Sequence, residues 1–196
     1  MNLQDLKRVA RDLRQEPDER FIELQRFGRQ ANLRGHYTKD EFLAVCRWKS
    51  PRSSPLCQSN TAAKVRAVTR KAFAAGCEQT RMEALITLNG VAVPSASALL
   101  AVWDPTRFGV IDVRAWRLLH DAKAVTQNRL GQGLSISNWK QYLKLIQDMA
   151  RDVGTTPRLV ELAFYNAHKS ASPELTLYGS KPRSDARWRC SDTECG

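Results

Sequence analysis

The sequence predicts an all-α protein, and three observations carry that prediction. Apolar residues recur at helical spacing in nearly every segment. Residues that start and stop helices fall between those segments, with Ser, Thr or Asn ahead of a stripe and Pro or Gly after it. No alternating apolar and polar run of any length competes as a strand.

The elements follow in order. Leu3, Leu6, Val9, Ala10 and Leu13 form one stripe, and Pro17 ends that helix near Gln15. Phe21, Leu24 and Phe27 mark a second helix, followed by a loop "RQANLRGHYTK". Thr38 suits the N-cap of a helix holding Phe42, Leu43, Val45, Cys46 and Trp48, which Pro51 and Pro55 break. Asn60 or Thr61 opens "TAAKVRAVTRKAFAAG", which carries the bases Lys64, Arg66, Arg70 and Lys71 and is expected to stop at Gly76. "TRMEALITL" comes next, then a small-residue turn, then "PSASALLAVW" with Pro94 at its first helical position. "DPTRFG" is a turn, and a helix through "VRAWRLLH" begins close to Asp112, with Trp116 assigned to the core. After a Gly-containing loop at about 121–136, Ser137 caps "NWKQYLKLIQDMARDV", whose Trp139, Tyr142, Leu143, Ile146, Met149, Ala150 and Val153 make a clean stripe. Thr155 or Thr156 with Pro157 opens the last helix, "RLVELAFYNAHK". Residues 169–196 turn to Ser, Pro, Lys, Arg and Asp and are expected to be a disordered tail.

Length and composition narrow the class. The 196 residues suffice for one domain or two small lobes around a cleft. No stretch approaches the roughly 18 apolar residues of a membrane span. The first residues lack the apolar core of a signal peptide, so a cytoplasmic location is expected, with nucleoid association in a bacterium. Cys46, Cys57 and Cys77 show no paired spacing, and Cys190 and Cys195 form a single C-x4-C. A zinc or iron–sulfur site needs about four ligands, so reduced thiols and no catalytic metal are expected. Net charge is +11, and the last 28 residues hold five basic and four acidic side chains. About +10 therefore belongs to residues 1–168. A compact basic body favours a polyanionic partner, nucleic acid by default.

One stretch carries more, "LNGVAVPSASALLAVWDPTRFGVIDVRAW", from Leu88 to Trp116. Leu88, Asn89, Gly90, Val91, Ala92 and Val93 form a short turn between two apolar helices. Such a turn is either a plain αα-hairpin or one that offers backbone N–H groups and a helix N-terminus to a phosphate, directly or through a bound cation. "LNGVAVPSASALL…VIDVRAW" resembles the signature of the helix-hairpin-helix DNA glycosylase superfamily, which includes the endonuclease III and 8-oxoguanine glycosylase families. The match covers roughly residues 80–120. Ala92 stands where the second glycine of the usual hairpin would be, a mild departure that could weaken the phosphate contact.

The resemblance implies a two-lobed helical fold over residues 1–168, with the hairpin at about 80–103, the catalytic segment at about 110–120 and the active site in the cleft between lobes. It implies a monomer that acts on double-stranded DNA and needs no catalytic cofactor, leaving open a monovalent cation (K+ or Na+) at the hairpin. It makes Asp112 the catalytic residue. On local pattern Asp112 is a helix cap, and both roles are compatible, since a helix N-terminus keeps a carboxylate ionised. A fixed negative charge stabilises the sugar as it gains oxocarbenium character, and the same carboxylate can activate water. The target nucleotide must be flipped out of the duplex. Bifunctional members carry a lysine early in the helix after the hairpin. Pro94 stands there, and no lysine lies between residues 72 and 122. A monofunctional N-glycosylase is therefore expected, with an abasic site as product and no strand cleavage.

Pocket residues are less defined. Trp48 either stacks on a flipped base or packs in the core. Lys49 and Arg52 either bind phosphate or a base edge, or are solvated. His36 and Tyr37 are candidates of similar weight, and Lys64 and Arg70 either track the DNA backbone or form an exposed face. Arg114 is expected to contact DNA near the flipped nucleotide or to brace Asp112. The substrate stays open among damaged, mismatched and viral hypermodified bases, so repair and defence against foreign DNA are both compatible. A non-catalytic helix-hairpin-helix DNA-binding module is the alternative, and a helical adaptor the third, less attractive for so basic a chain.

Overall fold

The computed structural model describes residues 2–11 and 19–172. Leu13, Gln15, Pro17, Cys190, Cys195 and the tail from 173 lie outside the described residues. Among the described residues there are ten α-helices and no strand. They are α1 (Leu3–Arg11), α2 (Glu19–Arg34), α3 (Lys39–Lys49), α4 (Ser54–Gln58), α5 (Ala62–Ala74), α6 (Glu78–Leu85), α7 (Val93–Trp103), α8 (Val113–Asp121), α9 (Ile136–Val153) and α10 (Pro157–Ala171).

Helix starts follow the expected chemistry. Thr38 accepts from the Glu41 amide while the Glu41 carboxylate accepts from the Thr38 amide, a reciprocal cap of α3. Thr61 caps α5, Asp112 caps α8 and Thr156 caps α10. Ends and lengths differ more. α2 runs to Arg34, taking in residues expected to be loop, because Ala31 adds a buried turn to the stripe of Phe21 and Leu24. Gly76 does not stop α5, which ends at Ala74 with Ala75 already extended. Pro55 sits in the first turn of α4, which follows a 3-10 turn at Pro51–Ser53, since a proline in a first turn forfeits no helical bond. Pro94 is the second residue of α7, behind Val93. Ser135, not Ser137, caps α9, because it forms a reciprocal pair with Asn138. α10 continues to Ala171, so the helical body passes the expected boundary at 168.

α7 is the centre. Nine of its eleven residues are buried, because α2, α3, α6 and α9 pack around it. Its run of Ala and Ser lets those helices approach closely. α2 crosses at Gly28, where a Cβ would fall 1.8 Å from the Val102 carbonyl oxygen. α8 packs on α10, α10 on α9, and α1 on both α9 and α10. One connected apolar core runs through both sets of helices.

The buried side chain of Arg81 ties α5 to α6. Arg81 donates to the carbonyls of Ala72, Phe73 and Ala75, the end of α5. Its guanidinium also lies 5.2 Å from the Trp103 ring centre. It thus fills the orphan carbonyls that a C-terminal glycine motif would otherwise serve.

Candidate active site

The segment Phe108–Asp112 is pinned from several sides before it delivers Asp112. The Val110 carbonyl accepts from the Tyr142 hydroxyl at 3.0 Å, and the Ile111 amide donates to Ser97 Oγ at 3.0 Å. The Val110 amide donates to Glu161 Oε2 at 3.4 Å. Gly109 lets the segment lie against the start of α10, since a Cβ there would meet the Pro157 carbonyl oxygen at 2.9 Å and Ile146 Cδ1 at 2.7 Å. Asp112 then caps α8, its Oδ1 accepting from the Arg114 amide at 2.8 Å.

Its other oxygen is engaged from a distant part of the chain. Lys49 Nζ, at the end of α3, donates to Asp112 Oδ2 at 2.8 Å. Both side chains are well buried, 15% exposed for Lys49 and 12% for Asp112. Burial pushes the Asp112 carboxyl up. The charge and hydrogen bond of Lys49, the Arg114 amide and the Arg114 guanidinium outweigh it and hold the group below its usual value. Asp112 is therefore a carboxylate fixed in a largely dry site, oriented by a helix terminus and a cation.

Two cavities open onto this pair. One of about 260 Å³ is lined by Trp48, Lys49, Val110, Asp112, Arg158, Glu161, Leu162 and Tyr165. That is close to the lower end, about 300 Å³, of small-molecule sites. The other, of about 540 Å³, is a groove in which Lys49, Arg52, Leu56 and Asp112 share a surface with Gly90, Ala92 and Pro94 of the hairpin. The hairpin and the carboxylate thus face one space, although 22 positions separate Gly90 from Asp112.

The hairpin is held as a rigid turn. Gly90 has φ +76°, and a Cβ there would lie 2.8 Å from both the amide nitrogen and the Sγ of Cys57. Buried Asn60 clamps the turn reciprocally, donating to the Asn89 carbonyl and accepting from the Asn89 amide, each at 2.9 Å. Leu88, Val91 and Val93 are buried anchors. Ala92 is exposed with φ −101°, so no glycine is required there. No side chain caps α7, whose N-terminus lies on the groove.

The structure brings some predicted site residues together and removes others. Trp48 and Lys49 join Asp112, and Arg52 lines the groove beside it. Tyr37 is fully buried and donates its hydroxyl to the Leu99 carbonyl at 2.9 Å, so it is a core residue and not a pocket residue. His36 and Arg70 meet each other at 3.4 Å. Neither they nor Lys64 line the two spaces at Asp112. The Arg114 side chain is buried and donates to the Ser172 carbonyl at the end of α10, while its backbone amide bonds Asp112 and its charge helps hold that carboxyl low. Comparison of the chain with family models, with curated proteins and with solved structures found no match. Arg158 and Glu161 were missed, although a charged pair three apart within the apolar stripe "PRLVELAF" was a visible signal. Asn60, in the sequence a candidate helix start, instead clamps the hairpin.

Among the described residues no group of three or more His, Cys, Asp or Glu side chains could hold a metal ion. No helix among them is long and apolar enough to cross a membrane.

Proposed function

We propose that this protein is a DNA N-glycosylase that flips a damaged or modified base into the cavity beside Asp112 and cleaves its N-glycosidic bond. The observation that carries this proposal is the shared groove, in which an uncapped helix N-terminus and a glycine turn face the same space as a buried carboxylate. The turn and the α7 terminus suit a phosphate of the duplex, a contact that positions without reading sequence. The helices α2–α7 and the group α1, α8, α9 and α10 would be the two lobes, with the smaller cavity between α3 and α10 as the base pocket.

In the cleavage step the C1′–N bond breaks, the base leaves with its electron pair, and Asp112 offsets the positive charge left on the sugar. Water, oriented by the same carboxylate, forms the new C–O bond, and the proton it gives up passes by way of Asp112 to the departed base anion. The Leu88 and Asn89 carbonyls already accept from Val91 and Asn60, but each keeps a second lone pair. A monovalent cation bridging to phosphate is compatible with that geometry, and the cleavage step does not run through it.

Lys49 supports a second reading of the same reaction. The expectation of water as nucleophile rested on the absence of lysine from 72 to 122, and the fold supplies Lys49 from outside that window, 2.8 Å from Asp112. After giving a proton to the departing base, its amine would attack C1′; breaking of the C1′–O4′ bond, with a proton passing from the nitrogen to O4′, would open the sugar to a Schiff base and permit strand cleavage.

The deciding experiment is product formation on duplex oligonucleotides, each with one candidate base, with and without alkali, for wild type, Asp112→Asn and Lys49→Gln. Strand breaks only after alkali support water. Breaks without alkali, together with a borohydride-trapped complex absent from Lys49→Gln, support the amine. Asp112→Asn is expected to keep duplex binding and to lose at least about 100-fold in rate, the scale of removing a preorganised charge from a transition state. No product on any duplex, with unchanged salt-sensitive binding, would leave a binding module.

A further inference from the structure

The cavity that Asp112 lines also holds a second charged pair. Arg158 donates to Glu161 Oε2 one turn along α10, and their side chains are 7% and 4% exposed. No other ion pair among the described residues has both partners so deeply buried. Such a pair is a costly way to fill a wall, because apolar residues of similar volume often serve stability as well or better. The Val110 amide reaches Glu161 Oε2 from the segment that delivers Asp112, at 3.4 Å. The Arg158 guanidinium also lies 4.2 Å from the Phe21 ring centre and 5.7 Å from that of Trp48.

Two consequences follow for anything that enters. The aromatic faces that could have caged a cationic base already hold the protein's own cation. The lining also offers a ring cation no net negative charge, because Glu161 and Asp112 are already balanced by Arg158 and Lys49. A neutral base meets something different. A guanidinium only donates and a carboxylate only accepts, so the pair matches an edge with an acceptor beside an N–H donor. Among damaged bases, deamination and oxidation create neutral rings of that kind, with a ring N–H next to a carbonyl oxygen. Ring alkylation creates cations.

We propose that Arg158 and Glu161 form the base-reading edge of this cavity and select neutral oxidised or deaminated bases against cationic ring-alkylated ones. This inference rests on the glycosylase proposal and names its substrate class.

The test uses the full chain under single-turnover conditions. One set of duplexes carries uracil, hypoxanthine or 8-oxoguanine, and the other 7-methylguanine or 3-methyladenine. Glu161→Gln is run beside wild type, and both are titrated with a duplex holding a tetrahydrofuran abasic analogue, which puts no base in the cavity. Wild type should excise a member of the first set at least about 100-fold faster than any of the second. Glu161→Gln should lose about 10-fold or more on that base while binding the analogue duplex within about threefold of wild type. Comparable excision of a cationic base overturns the inference and leaves the glycosylase proposal standing. So does a Glu161→Gln variant with unchanged rates, or one that loses analogue binding in step with excision. Excision of neither set by wild type, without preference for the analogue duplex, removes the glycosylase proposal and this inference with it.

Discussion

Asp112 is an ordinary helix cap by its first hydrogen bond and an unusual one by its second. A cap needs one oxygen to accept from the first turn, which Oδ1 does with the Arg114 amide. Oδ2 is free of that task and takes Lys49. Removing the ammonium leaves the burial that pushes the carboxyl up and takes away the largest influence holding it down. If the proposed water route holds, the acid limb of the excision-rate profile in Lys49→Gln should therefore move to higher pH, because that route uses the carboxylate. A limb that stays in place would show that Lys49 does not set the ionisation of Asp112. Tyr37 makes the contrasting case. Tyr37→Phe removes one buried hydrogen bond to Leu99 and should lower stability by about 1 kcal/mol, with excision unchanged at temperatures where the variant is folded. A loss of excision there would return Tyr37 to the site.

At the scale of the element, the hairpin works because its parts are braced from α4 and the α4–α5 turn. The Asn60 side chain, the Cys57 backbone and the left-handed Gly90 interlock. A methyl group at residue 90 meets the Cys57 backbone, and a left-handed non-glycine residue costs about 1–2 kcal/mol before that clash. Gly90→Ala is expected to melt earlier and, well below its melting temperature, to bind undamaged duplex more weakly with a shallower salt dependence. A folded Gly90→Ala protein with wild-type affinity would move the DNA contact away from the turn. The thiols divide by the same packing. Burial pushes both Cys46 and Cys57 up, whereas exposed Cys77 is lowered by bonds to Thr80. Brief alkylation of the native protein, read by peptide mass, should therefore modify Cys77 ahead of Cys46 and Cys57.

At the scale of the whole molecule, α10 joins the cavity beside Asp112 to the face of α8. His168, near its end, is buried, and its Nδ1 has no hydrogen-bond partner. Burial pulls the imidazole below its usual value, helped by Arg114 and Arg117 and opposed by Asp121 and Asp112. The unfolded chain then binds the proton more readily than the folded one, so stability falls as pH drops below the unfolded histidine value of about 6.5. Asp112 has its folded value lowered as well, so its contribution is present above the unfolded carboxylate value and lost as pH falls through the folded one. Thermal melts should show a first loss below about pH 6.5 and a second below about pH 4. His168→Leu should remove the first and keep the second. Two equal losses in that variant would assign the first to another group.

Local sequence determined the helices and several of their starts, because caps and apolar periodicity act over a few residues. Thr38, Thr61, Asp112 and Thr156 cap as their positions suggest. It also showed that the Leu88–Val93 turn and Asp112 were unusual within their own segments. Helix ends were less legible, since α2 and α10 extend where neighbours bury another turn. The cap bond of Asp112 was legible in this way, but the distant charges that share its cavity were not. Lys49 lies 63 positions away and Glu161 lies 49 away on the other side, on helices that periodicity alone cannot orient relative to each other. Only the packing of α3 and α10 against the pinned Phe108–Asp112 segment brought the three charges to one cavity. Local propensity can build a helix, but the direction in which its end points is fixed by what it packs against.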